Sequence, residues 1–289
     1  MGEKDVRKAK KDIVYVSITG FGETGPYAQK RVYDPIIQAV SGLASIQGGS
    51  DKCRPRLVRT ILPDKLTGIT AAQAVTAALL ARERTGKGQH VRLSMLDTVL
   101  SFLWASDMGG QTFFDQPNNS QRPASFIDLI YETKNGYMSV AVMSDSEWRG
   151  LTSALDRKHW LQDERFRTPA LRDDHVNERL ELTQEVLLTE TTEYWMERLE
   201  VEGVPCAPVL TRNALLEHPQ IAASGSIIEY DHPVAGKLRQ ARPAARFEGT
   251  PSAIRFGAPS LGEHTEDLLT EAGVTREKIM ALREAGIVA

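Results

Sequence analysis

The chain passes from an extended run into a long helix at Ile61-Leu62-Pro63-Asp64-Lys65-Leu66-Thr67-Gly68. Pro63 biases Leu62 toward an extended conformation, and proline is itself well tolerated at the start of a helix. The first turn of a helix favours an anion, and Asp64 stands in that turn. The alanine-rich run at residues 69–84 ends at a Gly-Lys-Gly turn. The sequence therefore predicts a long, closely packed and buried helix with one carboxylate at its N-terminal mouth.

Two interpretations of Asp64 are open on this pattern alone. An aspartate at a helix start is common as an N-cap, where its carboxylate accepts a backbone N–H and has no chemical role. The alternative is a reactive carboxylate that the helix holds in place. Taken by itself, the local pattern favours the cap.

The composition narrows the class of protein. A chain of 289 residues can bury a sizeable core, and we predict two domains. A net charge of −3 favours neither nucleic acid nor an anionic membrane as a partner. Cys53 and Cys206 lie far apart, and neither has a Cys or His at metal-ligand spacing, so we predict neither a disulfide framework nor a metal site. With no long apolar run and no secretory pattern, the sequence predicts a soluble, cytoplasmic protein without a membrane span.

The first part of the chain alternates strands with helices. Strands are predicted at residues 13–18 and 90–96, and helices at 36–43, 63–84 and 97–104. A glycine-rich loop at 19–27 follows the first strand, where backbone N–H groups can approach a ligand closely. The segment 46–56 is predicted to be a loop and 57–62 to be extended. This alternation is typical of an α/β domain, although few strands are available for its sheet.

The second part predicts a different architecture. A linker is predicted at 111–123, and Asn135-Gly136 between two β-rich runs indicates a hairpin of 129–133 with 137–142. Helices are predicted at 145–155, 172–188 and 192–202, with two more near the C-terminus at 265–269 and 275–285. We predict a large domain at 1–120, a smaller α+β domain at 121–245, and a return of 246–289 to the large domain.

Single residues do not identify a reaction. No pair of the six histidines has the spacing of a helical metal site, and no serine lies in a nucleophile elbow. The glycine loop has neither the Rossmann nor the P-loop spacing. Arg31 and Tyr33 could bind an anionic or acyl group, but such residues near a helix start usually pack and pair.

A set of short motifs taken together is far more specific. In order and with compatible spacing, the chain carries Thr19-Gly20-Phe21-Gly22-Glu23-Thr24-Gly25-Pro26-Tyr27, Tyr33-Asp34, Gln38-Ala39-Val40-Ser41-Gly42, Pro63-Asp64 with Gly68, Glu83-Arg84-Thr85-Gly86-Lys87-Gly88-Gln89-His90-Val91, Met95-Leu96-Asp97 and Leu261-Gly262-Glu263-His264-Thr265. This set resembles the class III coenzyme A transferases, a family that also contains α-methylacyl-CoA racemase. The resemblance runs from about Ile13 to the C-terminus, and it reverses the interpretation of Asp64 as a cap.

The resemblance implies a fold, a reaction and a set of site residues. The implied fold is α/β, with an incomplete Rossmann-like large domain and a smaller α+β domain, assembled as an interlocked homodimer. Asp64 matches the family's nucleophile, which exchanges CoA between an acyl-CoA donor and a small carboxylic acid through an aspartyl-CoA thioester. Arg31, Val32, Tyr33 and Met95 match positions that line the pantetheine and thiol region. Coenzyme A enters as a thioester substrate, and no permanently bound cofactor is implied.

Two alternatives remain beside the transferase. The first is an acyl-CoA racemase or epimerase. The racemases carry a histidine where this chain has Tyr33, and a phenol with a pKa near 10 is a poor base for α-proton removal.

The family's first βαβ segment, which carries much of the nucleotide-binding surface, has no counterpart before residue 13. The second alternative is therefore a catalytically silent fragment or subunit. The residues 111–125 also lack the run of glycines found in formyl-CoA transferase, so oxalate-like acceptors are not specifically indicated.

Overall fold

The computed structural model describes residues 2–49, 51–112, 129–254 and 256–289. The helices are α1 (Glu3–Ala9), α2 (Asp34–Val40), α3 (Leu43–Gln47), α4 (Leu62–Thr85), α5 (Met95–Trp104), α6 (Asp145–Ala154), α7 (Pro169–Asp174), α8 (Val176–Leu187), α9 (Thr192–Val201), α10 (Ala214–Glu217), α11 (Pro219–Ser224), α12 (Thr265–Glu271) and α13 (Arg276–Glu284). The strands are β1 (Tyr15–Thr19), β2 (His90–Ser94), β3 (Ile130–Thr133), β4 (Gly136–Val140), β5 (Cys206–Pro208), β6 (Ile227–His232) and β7 (Gly236–Ala241). The linker predicted at 111–123 lies almost wholly outside the described residues.

Helix α4 runs for 24 residues and begins at Leu62, one residue before the predicted start at Pro63, so Leu62 is helical rather than extended. Pro63 occupies its first turn, and Gly86 ends it in the left-handed region at φ 69°, donating its N–H to Arg82 O. The prediction that this helix is buried is wrong. Only Pro63, Thr67 and Ala78 are buried. The apolar side chains are spread around the helix, so a neighbouring layer on one side covers only part of them.

The predicted strand and helix around residue 94 are confirmed. β1 and β2 pair in parallel, in a register that runs from Tyr15 opposite His90 to Thr19 opposite Ser94. α5 follows β2 directly, and the Ser94 hydroxyl accepts the Asp97 N–H at 3.0 Å as its N-cap. The carboxyl ends of both strands therefore meet at one edge, next to the glycine loop and the start of α5.

The hairpin predicted from Asn135-Gly136 is confirmed, with its turn shifted by one residue. Thr133 pairs with Gly136, so Lys134 and Asn135 form the turn and Gly136 opens β4. β5 pairs antiparallel to β4 on the other side. The single helix predicted over 172–188 is instead two helices, α7 and α8. They are separated at His175, whose backbone leaves the helical region at φ −104°, ψ 35°.

Two clusters of buried apolar side chains organise the described residues. One joins β3–β5 with α6, α8 and α9 and contains large aromatic side chains, among them Trp148, Phe166 and Trp195. The other joins α2, α3 and α5 and is built on Ile37, Leu43, Val99 and Leu103. The three-part division at 1–120, 121–245 and 246–289 stays a prediction, as does the return of the C-terminal part to the large domain.

Several elements are not predicted from the sequence. The segment of α1 reads only as a charge run, yet its acids stand in the first turn and its bases in the last, and Arg7 pairs with Glu3 at 2.6 Å. The β6–β7 hairpin carries polar side chains on both faces, so it lacks the apolar alternation that signals a strand. Local charge interactions and turn residues therefore account for these two elements better than a hydrophobic pattern does.

Two glycines near α4 are expected to respond in opposite ways to alanine. Gly68 lies in the helix interior with open space where a Cβ would stand, so Gly68→Ala is expected to stabilise the fold by about 1 kcal/mol. A Cβ on Gly88 would lie 2.1 Å from Ile13 O, so Gly88→Ala is expected to destabilise it by roughly 1–3 kcal/mol. Urea denaturation of both variants measures the difference. Equal effects of the two substitutions would contradict this packing.

The start of α6 is expected to weaken in acid. The backbone N–H groups of Met143 and Ser144 donate to the Glu147 carboxylate at 2.7 and 2.8 Å, and they lower the pKa of Glu147. A carboxyl with a lowered folded-state pKa stabilises the fold above its unfolded-state pKa, and this contribution is lost as the pH falls. Glu147→Gln should therefore be less stable than the native chain at pH 7, with a difference that shrinks below about pH 4. Glu185→Gln, an exposed acid on α8, is the control and should show no such trend.

Candidate active site

Asp64 lies in the first turn of α4 with its side chain exposed. It forms no hydrogen bond and no ion pair with any residue in the described ranges. Ile61 holds the N-cap position and contributes no side-chain hydrogen bond, so the interpretation of Asp64 as an N-cap is wrong. The neighbouring cation of Lys65 donates to Thr60 Oγ1 at 2.7 Å. The carboxylate is thus left available at the positive end of a long helix.

The helix turn that carries Asp64 packs against a cluster of apolar side chains. Leu62 and Leu66 are one turn apart and therefore share a helix face, while Asp64 stands between them on another. Both leucines pack against the cluster of α2, α3 and α5, to which Val32 and Met95 also belong. The structure thus brings two of the predicted binding residues into the same cluster as the side chains flanking Asp64.

The other two predicted binding residues lie at the surface. Tyr33 is 79% exposed and occupies the N-cap position of α2, and Arg31 is exposed two residues earlier. Among the described residues, no hydrogen bond or ion pair joins either side chain to Asp64. The structure therefore places Arg31 and Tyr33 beside Val32 along the chain and leaves both free to meet a ligand.

The glycine-rich loop is tied to both the site and the sheet. A Cβ on Gly20 would stand 2.1 Å from Val32 Cγ1, so only glycine permits this close approach. Gly20 O accepts the N–H of Leu96 at 3.0 Å, and the Thr19 hydroxyl accepts the N–H of Gly22 at 3.0 Å. The loop, Val32 and the first turn of α5 consequently form one connected surface.

A buried polar pair behind the site is missed by sequence reasoning. Asp34 before Pro35 predicts the start of a helix, and Asp34 is the first residue of α2, but its burial, at 5% exposed, is not predicted. Its Oδ1 accepts a hydrogen bond from Gln38 Nε2 at 2.6 Å, and Gln38 is 1% exposed. The i, i+4 spacing on an otherwise apolar helix is the signal that could have revealed the pair.

Other chemistries find little support in the described residues. Burial raises the pKa of the Cys206 thiol, which makes this sulfur a poor nucleophile. In the described ranges, no group of three His, Cys, Asp or Glu side chains is placed to hold a metal ion. Within the same ranges, every helix is too short or too polar to cross a bilayer.

The parallel strand pair, the following helices and the exposed carboxylate at the start of α4 define an α/β protein with a candidate carboxylate nucleophile. The sequence model of CoA-transferase family III matches residues 1–265, and the chain belongs to this family. This confirms the resemblance found from the motifs. It also confirms the fold class, because solved structures of the family share the fold.

Two solved structures illustrate the likeness. A CAIB/BAIF family protein from Brucella suis superposes with a TM-score of 0.78 at 25% identity, over 94% of this chain and 71% of that one. Rv3272 from Mycobacterium tuberculosis superposes with a TM-score of 0.77 at 22% identity, over 92% of this chain and 71% of that one, which supports the fold alone.

Similar sequences carry names of CoA-transferases. An acyl-CoA transferase of Fusarium pseudograminearum is 31% identical over all of this chain and 64% of its own length. A human succinyl-CoA:glutarate CoA-transferase is 28% identical over 94% of this chain and 62% of its own length. The chain therefore spans less than two thirds of the length of these two relatives.

Proposed function

We propose that this chain transfers coenzyme A from an acyl-CoA to a carboxylic acid through a covalent intermediate on Asp64. Membership of CoA-transferase family III supports the reaction class. The single observation that carries the proposal is the Asp64 carboxylate itself, which is exposed, has no partner among the described residues, and lies in the first turn of a long helix. A nucleophile must be free to reach its substrate, and this carboxylate is.

The first half-reaction forms the covalent intermediate. An oxygen of Asp64 attacks the thioester carbonyl carbon, the carbon–sulfur bond breaks, and the CoA thiolate departs. The acyl group is now joined to Asp64 in a mixed anhydride. The thiolate then attacks the Asp64 carbonyl carbon of that anhydride and expels the acyl group as its carboxylate. An aspartyl-CoA thioester remains. Negative charge passes between carboxylate and thiolate, so no net proton is consumed.

The second half-reaction reverses these steps with the acceptor. The acceptor carboxylate attacks the aspartyl thioester and expels the CoA thiolate, which then attacks the acceptor's carbonyl carbon in the new anhydride. The products are a new acyl-CoA and the restored Asp64 carboxylate. Each attack creates a tetrahedral oxyanion, and backbone N–H groups of the glycine loop at 19–27 are the donors we assign to it.

We assign the binding of the acyl-CoA to the surface beside Asp64. The apolar side chains of Val32 and Met95 suit the pantetheine arm, and their membership of the apolar cluster under Leu62 and Leu66 supports this role. The exposed Arg31 and Tyr33 suit an anionic or acyl group. Two relatives are named for dicarboxylate reactions, succinyl-CoA:glutarate and formyl-CoA:oxalate transfer, so we propose a small carboxylic acid as acceptor.

We also propose that the active form is the interlocked homodimer of the family. Ile69 and Leu80 on α4 are 70% and 52% exposed in the single chain, which suits a helix that meets further protein. Sedimentation of the purified chain should then give a dimer.

Trapping of the intermediate tests the proposed function. The purified chain is incubated with succinyl-CoA or formyl-CoA and quenched with hydroxylamine, which converts an aspartyl thioester or anhydride to a hydroxamate. Peptide mass spectrometry is expected to place the hydroxamate on Asp64. No adduct, together with no CoA binding by calorimetry, would overturn the proposal and favour a silent subunit.

A further inference from the structure

The buried side-chain amide of Gln38 binds the segment that leads into α4. Gln38 Oε1 accepts the N–H of Val58 at 2.8 Å, and Gln38 Nε2 donates to Val58 O at 3.2 Å and Thr60 O at 3.4 Å. A backbone N–H can only donate, so the bond from Val58 fixes which end of the amide is oxygen. The side chain of Gln38 therefore makes the hydrogen bonds with residues 58–60 that a neighbouring strand would make in a sheet. β1 and β2 pair with each other and not with this segment.

The contact continues from Thr60 into the first turn of the helix. Thr60 O also accepts the N–H of Leu62 at 2.8 Å, and Thr60 Oγ1 accepts a hydrogen bond from Lys65 at 2.7 Å. Leu62 and Lys65 lie on either side of Asp64 in this turn. A shift of Thr60 would consequently move the turn that carries the carboxylate.

Asp34 holds the Gln38 amide from the other side. Its Oδ1 accepts Gln38 Nε2 at 2.6 Å, while its buried Oδ2 has no hydrogen-bond partner among the described residues. Leaving a carboxylate oxygen unpaired in the interior is unfavourable, so packing alone does not explain an aspartate here. We call Asp34 and Gln38 together the clamp. Both residues are on α2, and Ile37 between them is fully buried in the apolar cluster, so the packing of α2 holds the clamp in place.

We propose that Gln38 is a positioning residue for Asp64, with Asp34 holding its amide in the required orientation. This inference rests on the proposed role of Asp64 as nucleophile. Attack on a thioester needs the carboxylate oxygen close to the carbonyl carbon and aligned with it, and a displacement of about 1 Å can cost a hundredfold in rate. Gln38 fixes the backbone from which Asp64 projects and does not itself touch the substrate.

Substitution by leucine tests the clamp, since Gln38→Leu keeps a side chain of similar size and removes every hydrogen bond. The rate of Asp64 acylation is expected to fall about 10- to 100-fold, with the KM for acyl-CoA changed less than about twofold. Hydrogen exchange is expected to accelerate at residues 58–66 and to stay unchanged at 95–104 in α5. Gln162→Leu, the same change at an exposed position outside the elements around Asp64, is the matched control and should leave both measurements at their native values.

A second pair of substitutions tests the part played by Asp34. Gln38→Glu keeps an acceptor for the Val58 N–H but sets a second carboxylate against Asp34, so exchange at 58–66 should accelerate. Adding Asp34→Asn returns an amide donor to the pair and should recover much of the lost protection. A double variant no better protected than the Gln38→Glu single variant would overturn the role of Asp34.

The two readouts separate this inference from the proposed function. Native exchange at 58–66 in Gln38→Leu, or a rise in KM that matches the fall in kcat, would overturn the positioning role. Should the native chain form no adduct on Asp64, the proposed function fails, while faster exchange confined to 58–66 would still support Gln38 as the residue that fixes this turn.

Discussion

Replacing Asp64 with alanine is expected to abolish transfer of coenzyme A while leaving the fold intact. Without the carboxylate no anhydride forms, and loss of a covalent nucleophile commonly costs roughly 10⁴-fold or more in kcat. Asp64→Asn is expected to be nearly as damaging, because an amide can neither attack as an anion nor form the anhydride. The exchange of labelled CoA between an acyl-CoA and a free acid measures the loss, and the hydroxylamine adduct should vanish with it.

The same variants should keep their stability, since the Asp64 side chain is exposed and unpaired within the described residues. We expect a change in unfolding free energy of no more than about 1 kcal/mol, the usual contribution of an acid in a first helical turn. Glu83→Gln makes the same acid-to-amide change at an exposed position near the other end of α4 and should transfer CoA normally. An Asp64→Asn variant that transfers CoA at the native rate would rule out the covalent mechanism.

The start of α4 could be predicted from the sequence because its determinants are local. Pro63 restricts the backbone on both sides, and Gly86 adopts the left-handed conformation that ends the helix. The exposure of α4 could not be predicted, since it depends on which other elements pack against an alanine-rich surface. Small side chains are compatible with close packing, but they do not require it.

The site shows the same limit. The resemblance predicts Asp64, Val32 and Met95 as site residues, and these roles stay predictions. The structure shows only that Val32 and Met95 pack against the same apolar cluster as Leu62 and Leu66. The clamp could not be predicted because Gln38 binds backbone groups 20 and 22 positions along the chain. Any residue type can supply a backbone carbonyl, so no pattern in residues 58–60 marks the contact.

The two apolar clusters differ in whether they lie next to the predicted site residues. The cluster of α2, α3 and α5 supports the turn of Asp64, and several of its members, including Val32 and Met95, are only partly buried. The cluster around β3–β5 contains fully buried aromatic side chains and no predicted site residue. We therefore expect substitutions in the first cluster to change rate and binding, and those in the second to change stability above all.

The largest stability effect is expected for Phe166→Ala. Phe166 is fully buried, its ring meets Trp148 edge to face at 5.6 Å, and its carbonyl accepts a hydrogen bond from the buried Arg172 at 3.0 Å. Truncation of a buried phenylalanine usually costs about 3–5 kcal/mol, because the lost transfer energy and the remaining cavity add together. Guanidinium denaturation followed by tryptophan fluorescence is the measurement, since three of the four tryptophans lie in this cluster.

A matched truncation at the surface separates cavity formation from a general effect of losing a ring. Phe256 is 74% exposed, so Phe256→Ala should change the unfolding free energy by less than about 0.5 kcal/mol. Phe166→Ala should also leave Asp64 able to form its adduct under conditions where the chain stays folded, because Leu62 and Leu66 of the Asp64 turn pack against the other cluster. A loss below about 1 kcal/mol at Phe166 would mean that the site collapses around the smaller side chain, and that this cluster is not the rigid core its burial indicates.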